Sequence, residues 1–197
     1  MEGKFIVFEG IDGSGKTTQA GLLANYLKNK KANVVLTKNP TGGKVGNLVK
    51  EYYLKNNTFP VVDALLFAAD RAEQVETVIK PALNKGDIVV SDRYYYSNWV
   101  YQSIEGVDMD WLMEINKFFK KPDLVFLIDV SPQTAIERIK SSRKSADIEK
   151  FEQIKTLENL SKKYLDLAKK EGMVVVDGGM EMADVSKNII EEIEKIL

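Results

Sequence analysis

Five short runs of mainly aliphatic and β-branched residues, each bounded by polar ones, set the terms for this fold. They fall at residues 4–9 (KFIVFE), 33–37 (NVVLT), 87–91 (DIVVS), 123–129 (DLVFLID) and 173–177 (MVVVD). Apolar runs without an alternating polar face belong to strands buried on both sides, as in a parallel sheet covered by helices. Longer helical stretches separate them. Pro60 after Phe59 and Pro132 after Ser131 mark helix starts, and Gly86 and Gly172 mark helix ends just before the third and fifth runs. A chain of 197 residues supports one core of this kind. The expectation is an α/β fold in a single domain over residues 1–197. It has three layers, a five-stranded parallel sheet flanked by helices and right-handed crossovers.

The first run leads into FEGIDGSGKTTQ, residues 8–19. Gly10, four residues, then Gly15-Lys16-Thr17 is the spacing of a phosphate-holding loop between a strand and a helix. Gly10, Gly13 and Gly15 let the backbone N–H groups from Gly10 through Ile11, Asp12, Gly13, Ser14 and Gly15 approach phosphate oxygens without a Cβ in the way. The helix N-terminus adds its partial positive charge. Lys16 is placed to reach the terminal phosphates of a bound ATP, Thr17 to ligate Mg²⁺, and Thr18 to line the same turn. A loop of this type needs an acid near the metal, and Asp92, directly after the third strand, supplies one; the alternative is a helix N-cap.

Composition narrows the chemistry. There is no Cys and no His, which excludes disulfides, thiol nucleophiles, Ser-His relays and His or Cys metal sites. A net charge of -1 speaks against a non-specific grip on nucleic acid. No apolar run approaches the roughly 18 residues that span a bilayer, and the N-terminus lacks a secretory pattern. A cytoplasmic protein without membrane or nucleic-acid partners is expected. The chain has 24 Lys but four Arg: Arg71, Arg93, Arg138 and Arg143. Lys serves for solvated charge, so sparing use of Arg suggests positions where a planar fork matters.

The loop alone does not choose a reaction. An Asn-Lys-x-Asp element for reading guanine is missing: TKNP at residues 37–40 lacks the Asp and comes too early. A small kinase holding an acceptor beside the terminal phosphate is the better fit, and it needs a second anion site and a basic lid. In LLFAADRAEQ, residues 65–74, Phe67 and Arg71 stand at i, i+4 on one helix face. A flat base could stack on Phe67 while Arg71 bonds its edge; the alternative is a core Phe beside an exposed Arg. The basic, Ser-containing stretch at residues 138–152 suits a lid, at about 141–150, or an ordinary exposed connection.

FEGIDGSGKTTQ, LLFAADR, SDRYYYSNWVYQ, KPDLVFLIDV and KFE occur in the order and spacing of the thymidylate kinases. The chain resembles that family over roughly residues 4–180, within the wider P-loop nucleoside monophosphate kinases. The resemblance implies transfer of the ATP γ-phosphoryl group to thymidine monophosphate, with Mg²⁺, on the route to thymidine triphosphate. It leaves open a kinase for another nucleoside monophosphate or a deoxynucleoside, and a non-catalytic nucleotide-binding relative. It also implies a homodimer.

Carried over by resemblance, Asp12 contacts the acceptor sugar's 3′-hydroxyl, Phe67 stacks on thymine and Arg71 donates to its O4. Arg93 holds the acceptor phosphate, Asn98 reads the thymine edge and Tyr101 crowds the 2′ position, with Gln102 a further pocket residue. Arg138 packs on the donor adenine. Arg143, with Lys144, lies in the lid that reaches the transferring group. The expected catalytic set is thus Asp12, Lys16, Arg93 and Arg143. Three departures stand out. Lys38 replaces the arginine many members carry before x-Pro, so it can still give its charge to the acceptor phosphate but without the bidentate fork, Ile148 follows Asp147 where many lids have another Arg, and Gly13 is not basic.

Overall fold

The computed structural model describes residues 3–53, 59–142 and 153–197. All five strands form where the apolar runs stand: β1 Lys4–Glu9, β2 Val34–Lys38, β3 Ile88–Asp92, β4 Leu124–Asp129 and β5 Val174–Asp177. They pair in parallel in the order β2-β3-β1-β4-β5. β3 runs one residue further than the sequence suggests, so Asp92 is its last residue.

Period-two alternation sends neighbouring side chains to opposite faces. Phe5 and Val7 of β1 join Val89, Val125 and Leu127 in one core, while Ile6 and Phe8 join Val90, Phe126 and Ile128 in the other. Both faces are covered, which is why the strands carry unbroken apolar runs. Helix α1 (Lys16–Asn29) and α9 (Met182–Ile193) cover the second face through Leu23, Leu27, Val185 and Ile189. On the first face lie α5 (Tyr95–Ile104) and α8 (Ile154–Glu171), with Trp99, Leu157, Leu160 and Tyr164 inward.

The remaining helices are α2 (Lys44–Tyr53), α3 (Pro60–Gln74), α4 (Lys80–Asn84), α6 (Met109–Glu114) and α7 (Pro132–Ser142). α3 and α7 start at the prolines that announce them. Gly172 ends α8 in the left-handed conformation, at φ 68°. Between α3 and α4, Val75–Ile79 forms a π-helical turn. Chain order reverses around β1: it leads to β2 on one side, and the chain later returns past it from β3 to β4. Ligands of open α/β sheets bind at the carboxyl ends of strands beside such a reversal.

Candidate active site

Three constellations meet at the carboxyl ends of β1 and β3. The first is the glycine loop. Gly13 sits at φ 78°, and a Cβ there would stand 2.4 Å from the Ala135 carbonyl oxygen, so the loop closes against α7 only with glycine. Lys16 is buried and donates to the Ile11 carbonyl at 2.7 Å. Burial and the Arg93 charge pull its pKa down to about 8, against the opposing pull of Asp12, Asp92 and Glu9. The Thr17 hydroxyl donates to Asp92 Oδ2, and Asp92 Oδ1 is buried without a hydrogen-bond partner. Asp92 caps no helix, since α5 begins after Tyr94. Ser14 is buried and Thr18 exposed. Arg138, on α7, donates to the Ser14 carbonyl at 3.4 Å and the Gly178 carbonyl at 2.9 Å, which fixes it beside the loop.

The second constellation surrounds Arg93, a non-glycine residue held at φ 69°. Its Nη2 donates to Asp12 Oδ1 and, at 3.2 Å, to the Tyr101 hydroxyl. Its Nη1 donates to Ser97 Oγ at 2.8 Å, the Gly10 carbonyl at 3.3 Å and the Tyr164 hydroxyl at 3.4 Å. Tyr101 in turn donates to Asp12 Oδ2 at 2.9 Å, and its ring lies 5.1 Å from the guanidinium. Behind them Glu9, 0% exposed, accepts four hydrogen bonds. Oε1 takes the Tyr94 and Ser97 amides at 2.8 and 3.2 Å, and Oε2 takes the Ser97 and Tyr164 hydroxyls at 2.6 and 3.0 Å. Burial raises the Glu9 pKa, and the Arg93 charge with these donors opposes it. Burial works against the Arg93 charge too, but Asp12, Tyr101, Tyr164 and Glu9 outweigh it and raise its pKa.

The third is a cavity of about 390 Å³ beside this cluster. Asp12, Phe67, Arg71, Arg93, Asn98, Tyr101 and Gln102 all line it. Phe67 is half-buried while Arg71 is 1% exposed, the reverse of a core Phe beside an exposed Arg. The guanidinium lies 5.6 Å from the Tyr94 ring and 5.7 Å from the Phe119 ring. Burial lowers its pKa to about 10, with Tyr94, Glu9 and Asp70 pulling the other way, so it stays charged at neutral pH.

Lys38 is not in this lining: it stands exposed at the end of β2, and its carbonyl accepts from Gln74 at 3.4 Å. Lys50, on α2, does line the cavity and donates to the Thr41 carbonyl. Arg143, Lys144 and Ile148, with most of the 141–150 lid, lie outside the described residues. Sequence reasoning missed Glu9, Ser97, Tyr164, Lys50 and Asn116. For Glu9 there was a signal: a carboxylate ending an apolar strand at the mouth of the loop.

A sequence model of the family described as thymidylate kinase matches residues 8–189. The chain is 42% identical to a probable thymidylate kinase of Thermococcus kodakarensis, covering 98% of both chains. It is 41% identical to the probable thymidylate kinase of Pyrococcus abyssi, covering 96% of this chain and 95% of that one. Among solved structures, the crystal structure of thymidylate kinase from Ehrlichia chaffeensis superimposes with a TM-score of 0.80 at 29% identity, over 98% of this chain and 100% of that chain. The chain belongs to the thymidylate kinase family.

Within that family's fold, the Asp12–Arg93 pair gives a direct handle. Burial favours a protonated Asp12, but the Arg93 and Lys16 charges and the bonds from Tyr101 and Arg93 outweigh it and hold the pKa at about 2. A carboxyl whose folded pKa lies below its unfolded value stabilises above the unfolded pKa and loses that contribution as pH falls through the folded one. Asp12→Asn is therefore expected to melt below the wild type near neutral pH, with the gap closing between about pH 4 and pH 2. A Tm difference that does not change with pH would remove the ion pair as its source.

Proposed function

We propose that this protein transfers the γ-phosphoryl group of ATP to thymidine monophosphate, giving the diphosphate. One observation carries the reading: the glycine loop, the Arg93–Asp12 pair and a cavity lined by Phe67 and Arg71 meet at the carboxyl ends of β1 and β3. The backbone from Gly10 to Gly15 and Lys16 hold the donor phosphates, Thr17 and Thr18 line the next turn, and Arg138 packs on the adenine side. Phe67 stacks on the acceptor base, with Arg71, Asn98 and Gln102 along its edge. Tyr101 closes the space beside the sugar, against a 2′-hydroxyl. Asp12, tied to Arg93 and Tyr101, orients the sugar.

Phosphoryl transfer asks mainly for in-line alignment and neutralised charge. Lys16 and Arg93 bring cations from the two sides, Arg143 adds one from the lid, and Lys38 contributes from the rim. The acceptor phosphate is already ionised near neutral pH, so no strong base is required. Thr17 Oγ1 and the unpartnered Asp92 Oδ1 form a hard-oxygen pair that fits Mg²⁺ held chiefly by substrate phosphates. Among the described residues there is no group of three or more His, Cys, Asp or Glu side chains that would cage a metal by itself. When bound, Mg²⁺ neutralises phosphate charge and orients the donor.

No described helix is long and apolar enough to cross a membrane. Exposed Leu48 on α2, with Val61, Val62 and Leu65 on α3, supports the homodimer that the family implies.

The test is a panel of deoxy- and ribonucleoside monophosphates with Mg-ATP, each read for diphosphate. Preference for thymidine monophosphate is the expected result. Preference for another acceptor would keep the kinase and overturn the base pocket, and no transfer at all would leave nucleotide binding alone.

A further inference from the structure

Asn116 follows α6, outside every motif that marks the site and outside the cavity lining, yet it is 2% exposed and sits against Arg71. A guanidinium only donates. Arg71 Nε donates to Asn116 Oδ1 at 3.1 Å, and Nη2 donates to Asn98 Oδ1 at 3.3 Å. With its oxygen so held, Asn116 turns Nδ2 to Asn98 Oδ1 at 3.2 Å and to the Leu112 carbonyl at 2.7 Å. The Asn98 oxygen thus receives two donors, and its Nδ2 donates to Gln102 Oε1 at 2.9 Å. Each amide has one possible orientation once the previous one is set. Reversing Asn116 would face donor to donor at Arg71 and acceptor to acceptor at Leu112, in a site closed to water. At the far end Gln102, its oxygen taken, has its Nε2 donors left for whatever enters the cavity.

We propose that Asn116 is a positioning residue that fixes the direction of this amide relay, so that Gln102 and Arg71 both present donors to the acceptor base. The base end of the pocket therefore accepts a carbonyl edge, as in thymine and uracil, and rejects an amino group in its place, as in cytosine. This rests on reading the cavity as the base pocket. It explains how an uncharged residue beneath the lining controls specificity: it sets the hydrogen-bond sign of residues that do touch the base.

Two variants test the relay. Asn98→Asp keeps acceptors for Arg71 and Asn116 but cannot donate to Gln102. Gln102 must then turn its Nε2 back and present its oxygen to the base. Asn116→Asp removes the donor to Asn98 and Leu112 and leaves the Asn98 oxygen held only by the longer bond from Arg71 Nη2 at 3.3 Å. In each, the kcat/KM ratio for thymidine monophosphate over deoxycytidine monophosphate is expected to fall by about tenfold or more. For Asn116→Asp the loss should lie in KM, with saturated kcat within about threefold of wild type. Unfolding curves establish that the variants are folded, and if Asn116→Asp is not, Asn116→Ala, which also removes the donor to Asn98, takes its place. An unchanged ratio in folded variants, with Arg71→Ala still raising the acceptor KM, overturns the relay and leaves the pocket standing. An Arg71→Ala variant with an unchanged KM overturns both.

Discussion

Arg93→Ala is expected to lower kcat/KM for the acceptor by about 10³-fold or more, most of it in kcat. The guanidinium is anchored on two sides. Nη2 is bound to Asp12 and Tyr101, and Nη1 to Ser97, Tyr164 and the Gly10 carbonyl. A charge held this rigidly beside the glycine loop is organised before the reaction begins, and that is where electrostatic stabilisation of a transferring phosphoryl group is most effective. Arg93→Lys keeps the charge but cannot span both anchor points, so it should recover only a small part of the loss. Single-turnover rates at saturating ATP and acceptor separate this from weaker binding. A kcat within about threefold of wild type would move the neutralising role elsewhere, first to Lys50, which with Arg71 also lines the cavity.

The sheet was legible because its three central strands, β1, β3 and β4, are buried on both faces and the edge strands β2 and β5 carry the same apolar runs. The starts of α3 and α7 were legible because proline has few other uses there. The π-helical turn at Val75–Ile79 was not, since the apolar spacing reads as plain helix. Pro81, with no N–H to return to the preceding turn, sits just beyond it. At the site, Lys16, Thr17 and Asp92 followed from spacing, and the scarcity of arginine pointed to Arg71, Arg93 and Arg138. What escaped reading were residues whose meaning comes only from burial beside distant partners. Glu9 and Tyr164 are 155 positions apart and share a hydrogen bond. Asn116 meets Arg71 across 45 positions. Neither pairing leaves a trace in local sequence, and of these residues only Glu9, a carboxylate closing an apolar strand, is unusual where it stands.

Glu9→Ala is expected to damage both stability and rate, although Glu9 touches neither the cavity nor the glycine loop's phosphate-facing backbone. Removing the fully buried carboxylate leaves two backbone amides and two hydroxyls without their acceptor, the Tyr94 and Tyr164 donors in the core and the two of Ser97 at the cavity wall. At about 1–3 kcal/mol for each buried donor left unpaired, partly relieved by water and rearrangement, a net loss of about 3 kcal/mol follows. For a domain of this size that lowers Tm by about 10 °C. The same change frees Ser97 and Tyr164, the partners of Arg93 Nη1, so kcat should fall by about tenfold or more in the folded fraction. Glu9→Gln tells the two effects apart. It keeps the shape and can donate to either hydroxyl, so the fold should largely survive while the charge facing Arg93 is lost. Its pH dependence follows from the raised pKa of Glu9. A carboxyl with a raised folded pKa lends the fold stability that is fully present below its unfolded value and is lost as pH rises through the folded one. The glutamine cannot ionise, so the variant should gain on the wild type in Tm as pH rises through that range. If Glu9→Gln instead loses ground with rising pH, the ionised carboxylate is a net stabiliser, and the electrostatic balance around Arg93 must favour the charge more than burial opposes it.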